Sequence, residues 1–97
     1  MDLFNEVLNA KKQLENVVAA TRLTQNLNLS DEFESTILLK REDLQIVRSY
    51  KIRGAYNKIS SLNEKEKANG IVCASAGNHG QGVAYSCNLL KIQGKIY

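Results

Sequence analysis

The segment Ser75-Ala76-Gly77-Asn78-His79-Gly80-Gln81-Gly82 constrains the fold of this chain more than any other stretch. It follows a short apolar run, Ile71-Val72-Cys73-Ala74, and precedes Val83, Ala84, Cys87 and Leu90, which recur at helical spacing. A short apolar run with β-branched members predicts a fully buried strand, and the later residues predict a helix. The glycine-rich stretch is therefore a strand-to-helix turn, and Gly94 precedes a further strand at Lys95-Ile96-Tyr97.

Upstream, Thr36-Ile37-Leu38-Leu39 predicts a first buried strand ending in the charged tetrad Lys40-Arg41-Glu42-Asp43. Ser49 is placed to cap a helix carrying Ile52, Ala55, Tyr56, Ile59 and Leu62 on one face, with Lys51 in its first turn. Asn63 and Glu66 have capping-box spacing for a short second helix, and Gly70 suits a left-handed end. The order strand, helix, strand, helix, strand predicts an α/β fold with a parallel sheet, βαβ crossovers and ligands beyond the carboxyl ends of the strands. Before it, Leu3, Val7, Leu14 and Val18 share one face, so residues 1–20 are expected to form an amino-terminal helix. Residues 21–35 predict a loop with a short extended piece at Leu23 to Gln25. The last strand ends without a turn or polar cap, so residues 21–97 are expected to be an incomplete domain.

A chain of 97 residues buries only a modest core by itself, yet 43% hydrophobic and 24% charged residues argue against disorder. The net charge of +3 is spread among interspersed acids and bases with no basic stripe, which argues against nucleic acid as a partner. Cys73 and Cys87 are too few for a disulfide framework and predict reduced, buried thiols. The acidic start, Met1-Asp2-Leu3-Phe4-Asn5-Glu6, is unlike a secretory signal, and no apolar run reaches membrane-spanning length, so a cytoplasmic location is expected.

Two clusters carry chemistry. Lys51 stands at a helix start, a place that favours anions over cations, and an amine there suits imine formation with an aldehyde cofactor. Alone this signal is weak, because a solvated lysine beside Arg53 has the same sequence. The turn at 75 to 82 puts flexible glycines and unsatisfied amides at a helix start, which suits a carboxylate or phosphate, and Ser75 and Asn78 add side-chain donors. The spacing Gly77, Gly80, Gly82 is the reverse of the dinucleotide fingerprint, and no acid follows at the required distance. His79 is the only histidine, so no metal is expected and its plain role is to orient the turn. Ser75 lacks the nucleophile-elbow context.

The succession LLKREDLQ at 38 to 45, SYKIRGAYN at 49 to 57 and ASAGNHGQG at 74 to 82 resembles the threonine dehydratases among the fold-type II pyridoxal-phosphate enzymes, over roughly residues 18 to 97. The resemblance implies that Lys51 forms the internal Schiff base with pyridoxal 5'-phosphate and that Tyr50 packs against the cofactor ring. It implies that Ser75, Gly77, Asn78 and His79 receive the substrate carboxylate, with Asn78 also bonding the cofactor's phenolic oxygen. It further implies deamination of L-threonine to 2-oxobutanoate and ammonia in isoleucine synthesis, by a full-length homo-oligomer. The same motifs fit a serine dehydratase, a serine racemase or a catabolic threonine dehydratase acting on L-serine or L-threonine. A different class, a non-catalytic anion-binding or interaction module, predicts a fragment that folds cooperatively alone. Arg22 stands where relatives commonly carry proline, Tyr50 stands where phenylalanine is common, and the family's phosphate-binding glycine loop is not among these residues.

Overall fold

The computed structural model describes residues 2–97. Its elements in order are α1 (Leu3–Gln13), β1 (Leu23–Gln25), α2 (Leu27–Glu32), β2 (Leu38–Lys40), a 3-10 turn (Glu42–Leu44), α3 (Lys51–Ser60), α4 (Glu64–Ala68), β3 (Ile71–Cys73), α5 (Asn78–Leu90) and β4 (Gly94–Ile96). The unit β3–α5–β4 is the expected parallel βαβ, with Ile71 opposite Gly94, Val72 opposite Lys95 and Cys73 opposite Ile96. Alternation across the strand turns Ile71 and Cys73 toward the helices and leaves Val72 outward and 68% exposed, so β3 is half-buried rather than fully buried.

The first expected strand departs from the parallel scheme. β2 pairs antiparallel with β1, Leu23 opposite Lys40 and Gln25 opposite Leu38, in a two-stranded ribbon separate from the β3–β4 pair. Backbone bonds from Asn26 N to Ile37 O and from Arg41 N to Arg22 O, both 2.9 Å, extend the ladder at its two ends. The connection is long enough to return the chain beside itself and contains a helix, α2, where a loop was expected. Asn26 caps it by accepting from the Leu29 amide at 2.9 Å. Leu23, Leu38 and Leu39 are exposed, so β2 is not the buried strand expected.

The amino-terminal helix is shorter than the expected 1–20. It begins with Asp2 accepting from the Asn5 amide and stops at Gln13, beyond which Asn16 takes φ 64, a left-handed conformation no helix continues through. Of its expected apolar face Leu14 is buried and Val18 half-buried, while Leu3 and Val7 are exposed.

The core lies where α3 crosses α5. Ala55 and Ile59 of α3 meet Val83 and Cys87 of α5, with Ile71, Cys73, Leu90 and Ile92 packed around them and Ile52 fully buried nearby. Both cysteines are free thiols, Cys87 buried and Cys73 half-buried. Burial, and secondarily the neighbouring Cys73, pushes the Cys87 thiol up. The capping box of α4 is complete: Asn63 Oδ1 accepts from the Glu66 amide and Glu66 Oε2 from the Asn63 amide, both at 2.9 Å. Gly70 follows α4 at φ 80, and its amide bonds back to Lys67 O.

Candidate functional site

Lys51 is the first residue of α3, as its sequence position predicts, but the cap falls one residue later than expected. Tyr50 occupies the cap position without a side-chain bond, and Ser49 Oγ accepts only from the Lys51 amide, at 3.4 Å. The Lys51 side chain is half-buried, with Nζ 5.4 Å from the centroid of the Tyr50 ring, within cation–π range. Tyr50 is 61% exposed, so its ring is open to a ligand and its hydroxyl reaches water.

α5 starts inside the glycine-rich turn, and this changes the role of its glycines. A Cβ on Gly82 would lie 3.0 Å from Lys51 C, 3.1 Å from Lys51 O and 3.2 Å from Ile52 N. The missing side chain is what lets the first turn of α3 rest on α5. A Cβ on Gly80 would meet Ser75 O at 3.0 Å and Ile96 Cγ2 at 3.3 Å. Gly80 and Gly82 therefore serve packing, whereas a Cβ on Gly77 would meet nothing within 4 Å. The close approach at Gly82 sets the Lys51 backbone against α5, and both helices share one core with Ile71 and Cys73 of β3.

Ser75 organises the turn. Its Oγ accepts from the amides of Gly77 at 3.3 Å and Gly80 at 3.0 Å, which engages the hydroxyl's acceptor sites and leaves its proton to donate outward. The next amides, of Asn78 and His79, have no acceptor among the described residues, and both side chains are exposed. The turn thus presents a bare helix N-terminus, one hydroxyl donor and the Asn78 carboxamide, and the start of α3, with the Lys51 amine over the Tyr50 ring, packs against the same helix at Gly82. This donor set fits a small acid whose amino end is held by an aldehyde, and it fits pyridoxal phosphate at its aldehyde and phenolic-oxygen side. Among the described residues no cluster of His, Cys, Asp or Glu has the makings of a metal site, and no helix is long and apolar enough to cross a membrane.

One network was not legible beforehand. Arg53 clamps Glu42 with two bonds, Nε to Oε2 and Nη2 to Oε1, each 2.8 Å. Thr21 Oγ1 donates to Glu42 Oε1 at 2.5 Å, and Gln45 Nε2 lies 3.3 Å from Oε2. Gln45 is fully buried and pairs with the Ala19 backbone, accepting from its N–H and donating to its C=O, both at 2.9 Å. The Arg53 hydrogen bonds foremost, then the Thr21 and Gln45 bonds and the charge of Arg53, hold the Glu42 carboxyl down to about 2, against burial, which pushes it up. The tetrad at 40 to 43 had marked a polar strand end, with nothing to single out Glu42. A buried glutamine has no sequence signature at all.

The family model described as pyridoxal-phosphate dependent enzyme matches residues 14–97. A biosynthetic L-threonine dehydratase of Halalkalibacterium halodurans is 54% identical over 92 residues, 95% of this chain and 22% of that protein. The processed form of threonine deaminase isoform 2 from Solanum lycopersicum superposes with a TM-score of 0.83 at 38% identity, over 98% of this chain and 28% of that one. Maize serine racemase superposes with a TM-score of 0.87 at 27% identity, over 95% of this chain and 28% of that one. The chain spans 22% of the length of the first curated relatives it matches.

Proposed function

The chain belongs to the pyridoxal-phosphate dependent enzymes, and from that premise we propose that it is the amino-terminal part of an L-threonine dehydratase, contributing the cofactor lysine and the substrate-carboxylate turn. The observation that supports this reading is the contact of Gly82 with the backbone of Lys51, which seats the first turn of α3 against the start of α5. The choice of L-threonine rests on the 54% identity to the H. halodurans dehydratase. The reaction converts L-threonine to 2-oxobutanoate and ammonia, in isoleucine synthesis. In this reading residues 21–97 open a catalytic domain completed elsewhere, and the whole protein is a cytoplasmic homo-oligomer.

Pyridoxal phosphate, when bound, supplies an electron sink for the pair left at the substrate Cα. Lys51 would hold the cofactor through its aldehyde carbon, and the exposed ring of Tyr50 would be available to the cofactor's face. Asn78 donates from its carboxamide to the phenolic oxygen. The Asn78 and His79 amides, the Ser75 hydroxyl and the open backbone at Gly77 receive the substrate carboxylate, with the helix dipole favouring its charge. The Lys51 amine, when not joined to the cofactor, would accept the Cα proton at Nζ. Loss of the β-hydroxyl as water follows, and hydrolysis of the released enamine yields the keto acid and ammonia.

Serine as substrate is the second reading, supported by the TM-score of 0.87 with maize serine racemase. Turnover of L-threonine against L-serine by the full-length protein separates the two. Replacing Lys51→Ala abolishes the visible absorbance of lysine-bound cofactor and all turnover if the reading holds; unchanged cofactor binding and turnover refute it.

A further inference from the structure

The first turn of α3 is crowded with cations and short of anchors. Arg48, Lys51 and Arg53 lie within six positions, no acidic residue lies in that turn, and the cap residue Tyr50 makes no side-chain bond. A positive helix end loaded with positive side chains is unfavourable unless a carboxylate arrives from outside. Glu42 is that carboxylate. Its side chain is 13% exposed against 35% for Arg53, and it takes both arms of the guanidinium. Glu42 is tied in turn to Thr21, and through Gln45 to Ala19, so the clamp joins three separate stretches of chain. A planar two-bond clamp fixes orientation as well as distance. Arg53 stands two positions after Lys51 on the same turn, so whatever fixes Arg53 fixes the direction in which Lys51 leaves the helix.

We propose that Glu42 and Arg53 are positioning residues for Lys51, holding the start of α3 so that the amine meets the cofactor's aldehyde carbon beside the turn at 75 to 79. This rests on the assignment of Lys51 as the cofactor lysine. Neither residue touches the reacting atoms.

The test uses the full-length protein carrying Glu42→Gln, Arg53→Met, Arg53→Lys, Thr21→Val, Asn63→Ala or Lys51→Ala. Apoprotein is titrated with pyridoxal phosphate, the visible absorbance is followed, and cofactor is trapped on lysine by borohydride and located by mass. Thermal midpoints are recorded alongside. Glu42→Gln and Arg53→Met are expected to weaken cofactor binding about tenfold to a hundredfold and to slow trapping at Lys51 in proportion. Arg53→Lys, which keeps charge but loses the fork, falls between them and wild type. Asn63→Ala loosens α4, remote from the site, and keeps wild-type affinity at a lowered midpoint. Should the two strong variants fail to fold, Thr21→Val and Arg53→Lys carry the same comparison. Wild-type affinity in the clamp variants, or an equal loss in Asn63→Ala, overturns the proposal while the Lys51 assignment stands. In Lys51→Ala, visible absorbance of lysine-bound cofactor and borohydride trapping on another lysine at the wild-type level overturn both.

Discussion

Replacing Gly82→Ala probes the contact on which the site is built. The new Cβ would sit 3.0 to 3.2 Å from three backbone atoms of Lys51 and Ile52, where ordinary contact begins near 3.4 Å. None of these atoms belongs to a side chain that rotates away, so α3 and α5 must separate by ~0.4 Å, the shortfall from ordinary contact that also sets the scale of such overpacking strain. Alanine in a helix interior gains about 1 kcal/mol over glycine, whereas overpacking against a rigid neighbour costs about 2 to 3 kcal/mol, so the clash wins by about 1 to 2 kcal/mol. Gly54, on α3 itself, meets nothing within 4 Å, and there the same substitution is expected to stabilise by about 0.5 to 1 kcal/mol. Denaturant titration of the two full-length variants reads both signs. The Gly82→Ala protein is also expected to bind pyridoxal phosphate up to about tenfold more weakly, since small displacements of a reacting group are costly. Equal, unchanged stabilities would mean that α3 does not rest on α5 at this point, and the placement of Lys51 beside the turn would fail with it.

Ile52→Ala, at a fully buried position between Lys51 and Arg53, should lower stability by about 2 to 4 kcal/mol in the same titration. Asn63→Ala should cost about 1 kcal/mol by removing one half of a capping box, and Asn63→Asp should restore most of it. Glu42 ionises near 2 in the fold against 4.5 ordinarily, so its stabilisation is fully present above about pH 4.5 and is lost as the pH falls through 2. The full shift would correspond to about 3 kcal/mol, and water around the partly exposed Arg53 reduces this to about 1 to 2 kcal/mol. An acid titration of Arg53→Met against wild type should show that component missing, and parallel curves would refute it.

The placement of Lys51 at the start of α3 and of the glycine-rich turn between β3 and α5 was legible because each depends on local order. A lysine at a helix start and a glycine-rich turn after an apolar run each need only a few adjacent residues to be recognised, although the cap itself fell at Tyr50 rather than Ser49. The capping box at Asn63 and the left-handed Gly70 were legible for the same reason. What escaped depends on contacts between distant stretches. Nothing within Thr36 to Leu39 says that its partner is Leu23 to Gln25 running the other way. The apolar spacing continues past Gln13, and only the left-handed turn at Asn16 ends α1. Gly80 and Gly82 looked like ligand-facing residues, because a glycine that admits a neighbouring helix and one that admits a ligand are identical in sequence. The six residues of α2 lie within a polar stretch and have too little periodicity to stand out.

The most direct measurement of the central claim is a crystal structure of the full-length protein grown with pyridoxal phosphate. The account predicts continuous density from Lys51 Nζ to the cofactor, the Tyr50 ring along its face, and the Asn78 carboxamide about 2.7 to 3.2 Å from its phenolic oxygen. Cofactor joined to another lysine, such as Lys58 or Lys95, or lying away from the 75 to 79 turn, would contradict it.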